Sequence, residues 1–447
     1  MNMECMQRQF RLKVFVVGMA LFLAISHIVI LPSKADQDGT DVGSQAEWYV
    51  AKRVLMHTPG DELFMGIIHP AAALFERPFS IKGAEAEHRK YIERLQEHGI
   101  TVHHVVETLL AGTVDKQGNP TAGPELDGLR TFAEQFLTID ASALPKNQRR
   151  KQQTYKKETL ADLHPYELVK IVLGRPTVHL RTTTTNTGLT ATYEESPVMN
   201  LYFLRDQMIT TSKGVVISKM NSPQRAPETK VIKFVLTKLG IKPIYEVVGN
   251  GRLEGGDYFS AGEAALIGQG LRTNSEGIKQ LLDNKVFGVS SVLVVKDPWK
   301  NQAQMHLDTY FNIINPKLAV MVAERLSSPN KPVVESMRSR VDVYELEAGT
   351  YVLKTRDADF QNYMEEKMGF GFIPVSNFDQ LRYGINFLTI APNKILAIDG
   401  VSAEYKRALK DAGVDATWMD FYNLTGGYGA AHCMTQVLRR EGKEQVK

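Results

Sequence analysis

The stretch Glu228–Val248 reads ETKVIKFVLTKLG and then IKPIYEVV, and its two halves have different periodicities. Leu236 and Leu239 sit at helical three-to-four spacing, so the first half predicts an amphipathic helix, which Gly240 ends in a left-handed C-cap. The second half is apolar and rich in β-formers, which predicts a strand. The same unit recurs at Glu85–Val106 (EAEHRKYIERLQEHG, ITVHHVV), Ser275–Val295 (SEGIKQLLDNKVFG, VSSVLVV), Asp359–Val375 (DFQNYMEEKMG, FGFIPV) and Ala403–Asp420 (AEYKRALKDAG, VDATWMD). Helix-Gly-strand units occur in any α/β protein. Five of them spread along the whole chain favour a closed, pseudo-symmetric array of like α/β modules over one doubly wound sheet.

One gap between units is too long. Between Val106 and Asn200 lie ELDGLRTFAEQFL, KNQRRKQQTYKKETLADL and HPYELVKIVLG, with Pro165 suited to a helix's first turn and Gly174 to its end. These predict a helical insertion over 112–180. Its basic run, Lys146–Lys157, is followed by Glu158 and Asp162 and has no aromatic stacking platform, so it reads as a solvated helix face rather than a nucleic-acid patch.

The N-terminus has the pattern of a targeting segment. Arg8, Arg11 and Lys13 precede the uncharged run VFVVGMALFLAISHIVIL (Val14–Leu31), followed by Pro32 and Ser33-Lys34-Ala35. The expectation is a signal peptide over 1–35, cleaved near Ala35, and an exported mature protein in a periplasmic, secreted or lumenal location. Left uncleaved, the run approaches the roughly 20 residues of a membrane span and would anchor the protein. The full chain carries 53 basic and 50 acidic residues. Cleavage removes Arg8, Arg11, Lys13, Lys34 and Glu4, which leaves equal numbers of each and argues against a polyanion-binding protein. Cys5 also departs, leaving Cys433 as the mature chain's single thiol, which in an oxidising compartment must be buried or used.

Polar residues cluster just after the extended stretches. GNGRLEGGDYF holds Glu254 and Asp257, DPWKNQAQMHLDTYF holds His306 and Asp308, and GGYGAAHCMT holds Cys433. Where the first unit resumes, NLYFLRD holds Asn200, Arg205 and Asp206. If the modules ring a common centre, these residues converge there. Taken singly they are weak signals. GNGRLEGG precedes no apolar helix, against a dinucleotide loop, and HLD lacks a second His at helical spacing, against a metal site.

In combination, NLYFLRD (Asn200–Asp206), SPQRAPET (Ser222–Thr229), LEGGD (Leu253–Asp257), LIGQGLRTN (Leu266–Asn274), MHLDTYF (Met305–Phe311) and HCMT (His432–Thr435) resemble the arginine deiminases of the guanidino-group-modifying superfamily, in the family's order. The resemblance runs from Trp48 to the C-terminus and implies a catalytic domain over 46–447 built as a five-module α/β propeller, with the helical insertion inside it. It implies hydrolysis of L-arginine to citrulline and ammonia, with Cys433 as nucleophile, His306 as acid and base, Glu254 orienting His306, and Asp206 and Asp308 clamping the guanidinium. Asn200, Phe203, Arg225, Asp257, Arg272 and Tyr428 are implied to bind substrate, Arg225 and Arg272 through its α-carboxylate. Neither metal nor organic cofactor is implied, the partner is a small guanidino compound, and homo-oligomerisation is left open. A thiolate nucleophile is expected to sit beside cationic groups. Many family members carry an Arg five residues before the nucleophile, where this chain has Tyr428, a phenol without a charged fork. An amidinotransferase, a deiminase of another guanidino compound and a non-catalytic arginine-binding protein are the competing readings.

Overall fold

The computed structural model describes residues 41–185, 187–328 and 332–442; the expected leader, 1–35, lies outside them. Among the described residues no helix is long and apolar enough to cross a membrane. The fold is mixed α/β, and five of its sheets share one connectivity: an antiparallel hairpin, a helix, and a third strand parallel to the hairpin's second. In the unit that contains Glu228–Val248, Met208–Thr211 and Gly214–Ile217 form the hairpin, Ala226–Lys238 the helix and Tyr245–Glu246 the third strand. The next follows as Tyr258–Ala261, Ala264–Gln269, Ser275–Asp283 and Ser291–Lys296. Then come Phe311–Asn315, Leu318–Val322, Phe360–Glu366 and Gly371–Val375. The fourth is Leu388–Ala391, Lys394–Ile398, Ala403–Asp411 and Asp415–Met419. The fifth joins the chain's two ends: C-terminal Gln436–Glu441 pairs antiparallel with Val50–Met56, which after the helix Ile81–Glu97 pairs parallel with Thr101–His104.

The predicted helix-strand pairs are therefore the last two elements of each module. The hairpins before them carry no sequence signal, because several of their strands are only four residues long and buried throughout, as in Met208–Thr211 and Tyr258–Ala261, and so show no alternation. Each helix stops as its sequence predicts, with one exception. Gly99, Gly240, Gly369 and Gly413 take left-handed φ values of 72° to 74° two or three residues past their helices. In the third predicted unit the helix stops at Asp283, and Lys285 (φ 53°) takes the left-handed position instead of Gly288. Helix starts are fixed by Ser80, Asn274, Asp359 and Ser402, whose side chains accept first-turn N–H groups, each such cap contributing about 1 kcal/mol.

Residues 112–180 hold the helices Pro124–Glu134, Lys146–Asp162 and Pro165–Gly174, but the segment is not purely helical. Thr138–Asp140, Pro176–Thr182 and Leu189–Glu195 form a sixth, three-stranded sheet that carries the inserted structure past residue 180. Phe132 stacks on Phe234 with ring centroids 4.1 Å apart, and Leu129, Leu168 and Val172 join Val231 and Val235 in one apolar cluster, fastening the insertion to the helix Ala226–Lys238. Each fully buried aliphatic side chain there contributes ~1.5–3 kcal/mol. The helix Lys146–Asp162 buries only Leu160. A second addition, the hairpin Arg340–Glu347 and Thr350–Asp359, widens the sheet that holds Ser291–Lys296 to five strands.

Candidate active site

The chemistry-bearing residues occupy one recurring place, just before the first strand of a hairpin. Asp206 precedes Met208–Thr211, Glu254 and Asp257 precede Tyr258–Ala261, His306 and Asp308 precede Phe311–Asn315, and Cys433 precedes Gln436–Glu441. Asn386 holds this position in the fourth module, two residues before Leu388–Ala391, and sequence reasoning missed it. Its Oδ1 accepts the N–H groups of Ala430 (2.9 Å) and Cys433 (3.2 Å), while its Nδ2 donates to the Asp308 carbonyl at 3.2 Å. It ties the Cys433 loop to the His306–Asp308 turn. The positional rule that groups the others would have found it.

Asn200, Phe203, Asp206, Arg225, Arg272, His306, Tyr428 and Cys433 line one cleft, along with Leu74, Gln302 and Met305. The run of small residues before Cys433 is a packing requirement: a Cβ on Gly427 would lie 1.8 Å from the Tyr202 hydroxyl, and one on Gly429 2.5 Å from the Phe203 ring. A Cβ on Gly256 of the LEGGD motif would come within 2.7 Å of His306 Nδ1.

Behind the cleft wall the polar groups form a network. His306 Nε2 is 2.9 Å from Glu254 Oε2, and its Nδ1 lies 3.8 Å from Asp206 Oδ1. Asp308 Oδ2 is 2.7 Å from His432 Nδ1 and 3.6 Å from Cys433 Sγ. Asp206 Oδ1 and Asp308 Oδ1 are buried with no hydrogen-bond partner in the protein. Two buried carboxylates that each leave one acceptor unused beside a thiol suit a planar, multi-donor cation.

Arginine deiminase is the family whose model matches residues 72–440. The chain belongs to that family. It is thereby a hydrolase of the arginine deiminase type. It is 27% identical to an arginine deiminase of Halobacterium salinarum over 92% of this chain and 98% of that one, and 28% identical to one of Listeria welshimeri over 87% and 96%. Its fold is similar to that of DDAH from Pseudomonas aeruginosa, solved as a cysteine-to-serine mutant complexed with citrulline: TM-score 0.50 at 15% identity, covering 87% of this chain and 99% of that one.

Of the residues grouped with the substrate binders, Arg225 lines the cleft but is engaged within the protein, and Asp257 lies off the cleft wall. Arg225 donates to Asp206 Oδ2 at 2.8 Å and through Nε to Glu228 at 3.1 and 3.2 Å, so its guanidinium is engaged in holding Asp206. Asp257 is not on the cleft wall. Its Oδ1 accepts the Leu307 N–H at 2.9 Å and pins the turn that carries His306 and Asp308. Burial, with the charge of Asp308 adding to it, pushes the Asp257 carboxyl up to about 7. Asn200 lines the cleft while its Nδ2 donates to the Ala73 carbonyl at 2.9 Å. Arg272 donates to Gln302 Oε1 at 3.1 Å and lies 3.8 Å from Glu254. Asp206, Glu254 and His306 stand close enough together to hold a cation by distance alone, but Arg225, 3.8 Å from Glu254 and paired with Asp206, already brings positive charge there.

The electrostatics assign protons. Burial alone would lower the His306 pKa. The negative charge of Asp206, the hydrogen bond to Glu254 and the charge of Asp257 outweigh it and raise the pKa to about 9, so the imidazole is protonated at neutral pH. Burial would raise Glu254, but the His306 hydrogen bond and charge, with Arg272 and Arg225, bring it down to about 2. Cys433 shares the cleft with Arg225, Arg272 and His306, but the group hydrogen-bonded to its sulfur is the Asp308 carboxylate rather than one of the expected cations. Burial pushes the Cys433 thiol well above its usual range, and Asp308 and Asp206 push it further, so it rests protonated. Below its pKa the thiolate fraction grows tenfold per pH unit. Alkylation of Cys433 by iodoacetamide in the substrate-free enzyme is therefore expected to accelerate about tenfold per unit from pH 7 to pH 9. A plateau below pH 8 would show a thiolate already formed.

Proposed function

We propose that the protein hydrolyses free L-arginine to citrulline and ammonia through a covalent amidino-thioether on Cys433. The observation that carries this reading is the pair of unpartnered oxygens, Asp206 Oδ1 and Asp308 Oδ1, beside the Cys433 thiol and the protonated His306. A guanidinium carbon placed at Sγ comes within reach of Asp308, whose Oδ2 is 3.6 Å from that sulfur. The incoming positive charge offsets the two carboxylates and lowers the thiol's pKa, so substrate triggers loss of the thiol proton. The thiolate then adds to the guanidinium carbon and forms the C–S bond. His306 gives its proton to the departing nitrogen as the C–N bond breaks and ammonia leaves. Neutral His306 next takes a proton from water. The hydroxide adds to the same carbon, the C–S bond breaks, and the ureido product leaves as its extra proton returns to the Cys433 thiolate, replacing the one the thiol lost to solvent when substrate bound.

Arg225 is occupied, so Arg272 and the half-buried Tyr428 at the cleft are assigned the α-carboxylate. Assays of ammonia and ureido product with arginine, agmatine and methylated arginines test this. Arginine should be favoured over agmatine at least tenfold in kcat/KM, and equal rates would remove the carboxylate contact. The five like sheets are read as a propeller closed around this site, which an experimental structure showing an open array would contradict. The leader is read as an export signal. N-terminal sequencing of the natively produced protein should begin at Asp36, and a start at Met1 would contradict cleavage.

A further inference from the structure

One buried titratable side chain beside the nucleophile has no part in the reaction as written. His432 is fully buried, its ring stacked on Phe259 with centroids 5.1 Å apart. It touches two charged groups of opposite sign. Nε2 is 2.6 Å from Arg205 Nη2, and Nδ1 is 2.7 Å from Asp308 Oδ2. A guanidinium only donates, so Nε2 must be the acceptor and the ring's proton must sit on Nδ1, aimed at Asp308. Arg205 is itself held by Glu47 Oε1 at 2.8 Å, and the other Glu47 oxygen by Arg440 at 2.7 Å. We propose that His432 is a positioning residue, locked by Arg205 and Glu47 as the Nδ1–H tautomer, which orients the Asp308 carboxylate for the substrate guanidinium while leaving its negative charge uncancelled.

The physical need is specific. Asp308 is wholly buried, and His432 is the only side-chain nitrogen hydrogen-bonded to its carboxylate among the described residues. A Lys or Arg in that place would satisfy the carboxylate but neutralise it, competing with the cation the site must bind. A neutral donor fixes the geometry and leaves the charge. The groups facing the imidazole favour the neutral ring: burial and then the charge of Arg205 hold its pKa below the ordinary value, against the opposing pull of Asp308 and Glu47. In the other direction, burial would raise the Asp308 carboxyl, but the His432 hydrogen bond, with the charges of His306 and Arg205, keeps it below its ordinary value.

This inference rests on the reading of Cys433 as nucleophile and Asp308 as clamp, and its test separates the two. Cys433 is alkylated with 2-chloroacetamidine, a planar cation, and with chloroacetamide, its neutral counterpart with the same leaving group, in the wild-type, His432→Leu and His432→Asn full-length proteins. The wild type should prefer the cationic reagent at least tenfold. His432→Leu should lose at least tenfold of that ratio with the neutral rate within threefold of wild type, and His432→Asn, whose amide can donate to Asp308, should recover most of it. A ratio unchanged in His432→Leu would overturn the proposal, since a merely structural loss moves both rates together. Absence of alkylation at Cys433 by peptide mass spectrometry, with the Cys5 peptide read separately, would remove the nucleophile assignment beneath it. If His432→Leu does not fold, 15N histidine spectra of the wild type decide: Nδ1–H at His432 supports the proposal, while Nε2–H or an imidazolium overturns it.

Discussion

Cys433→Ala is expected to abolish arginine turnover, lowering kcat by at least about 10⁴-fold, with the fold retained. The loss is large because a guanidinium carbon is a poor electrophile, and no other thiol is present among the described residues to form the covalent adduct. The fold survives because the loop is not held by the sulfur. Its polar approach to Asp308 is long, at 3.6 Å, while the loop is held by backbone groups of Ala430 and Cys433 bonded to Asn386. Removing the sulfur also relieves a thiol held beside two carboxylates. The thermal midpoint should move by no more than a few degrees, on the order of 1 kcal/mol. Ammonia release and circular dichroism on the same sample provide the check. Residual activity above a hundredth of wild type would sink the covalent mechanism.

The modules were legible wherever a helix met a strand, because amphipathic spacing and a terminal Gly are local signals. Short hairpins such as Met208–Thr211 with Gly214–Ile217 were not legible, since a four-residue strand buried on both faces has no period to read. Nor was the pairing of Val50–Met56 with Gln436–Glu441, whose partners lie almost the whole chain apart. In the site, Cys433, His306, Asp206 and Glu254 were nameable from motifs, and the structure brings them together. Glu254 was nameable as the partner of His306, 2.9 Å away, but the other partners were not. The engagement of Arg225 with Asp206 and Glu228, the retreat of Asp257 behind the His306 turn, and the thiol's carboxylate surroundings are set by three-dimensional packing that residue types alone do not encode. Asn386 lies between, hidden by a neutral side chain but marked by its place before a hairpin strand.

His306→Ala is expected to lower kcat by about 10³–10⁴-fold for arginine, and the choice of substrate should reveal which step fails. In the wild type the imidazole is protonated in the neutral range because its pKa is raised to about 9, so the acid for ammonia expulsion is in place before substrate arrives. The alanine variant has no such donor, and the C–N bond does not break. A substrate whose leaving group departs unassisted as a thiolate, such as an S-alkyl thiouronium analogue of arginine, bypasses that step. The Cys433 adduct should then form in His306→Ala and persist, because no base remains to activate water. Intact-mass spectrometry should show the adduct accumulating over many wild-type turnover times. If it cleared at the wild-type rate, the base would be another group, and among the carboxylates nearby Asp206, 3.8 Å from His306 Nδ1 and with Oδ1 unpartnered, would be the one to replace next. If no adduct formed with the thiolate-leaving analogue, His306 would be needed for formation of the C–S bond itself, through the charge it sets beside Asp206 rather than through the proton it transfers.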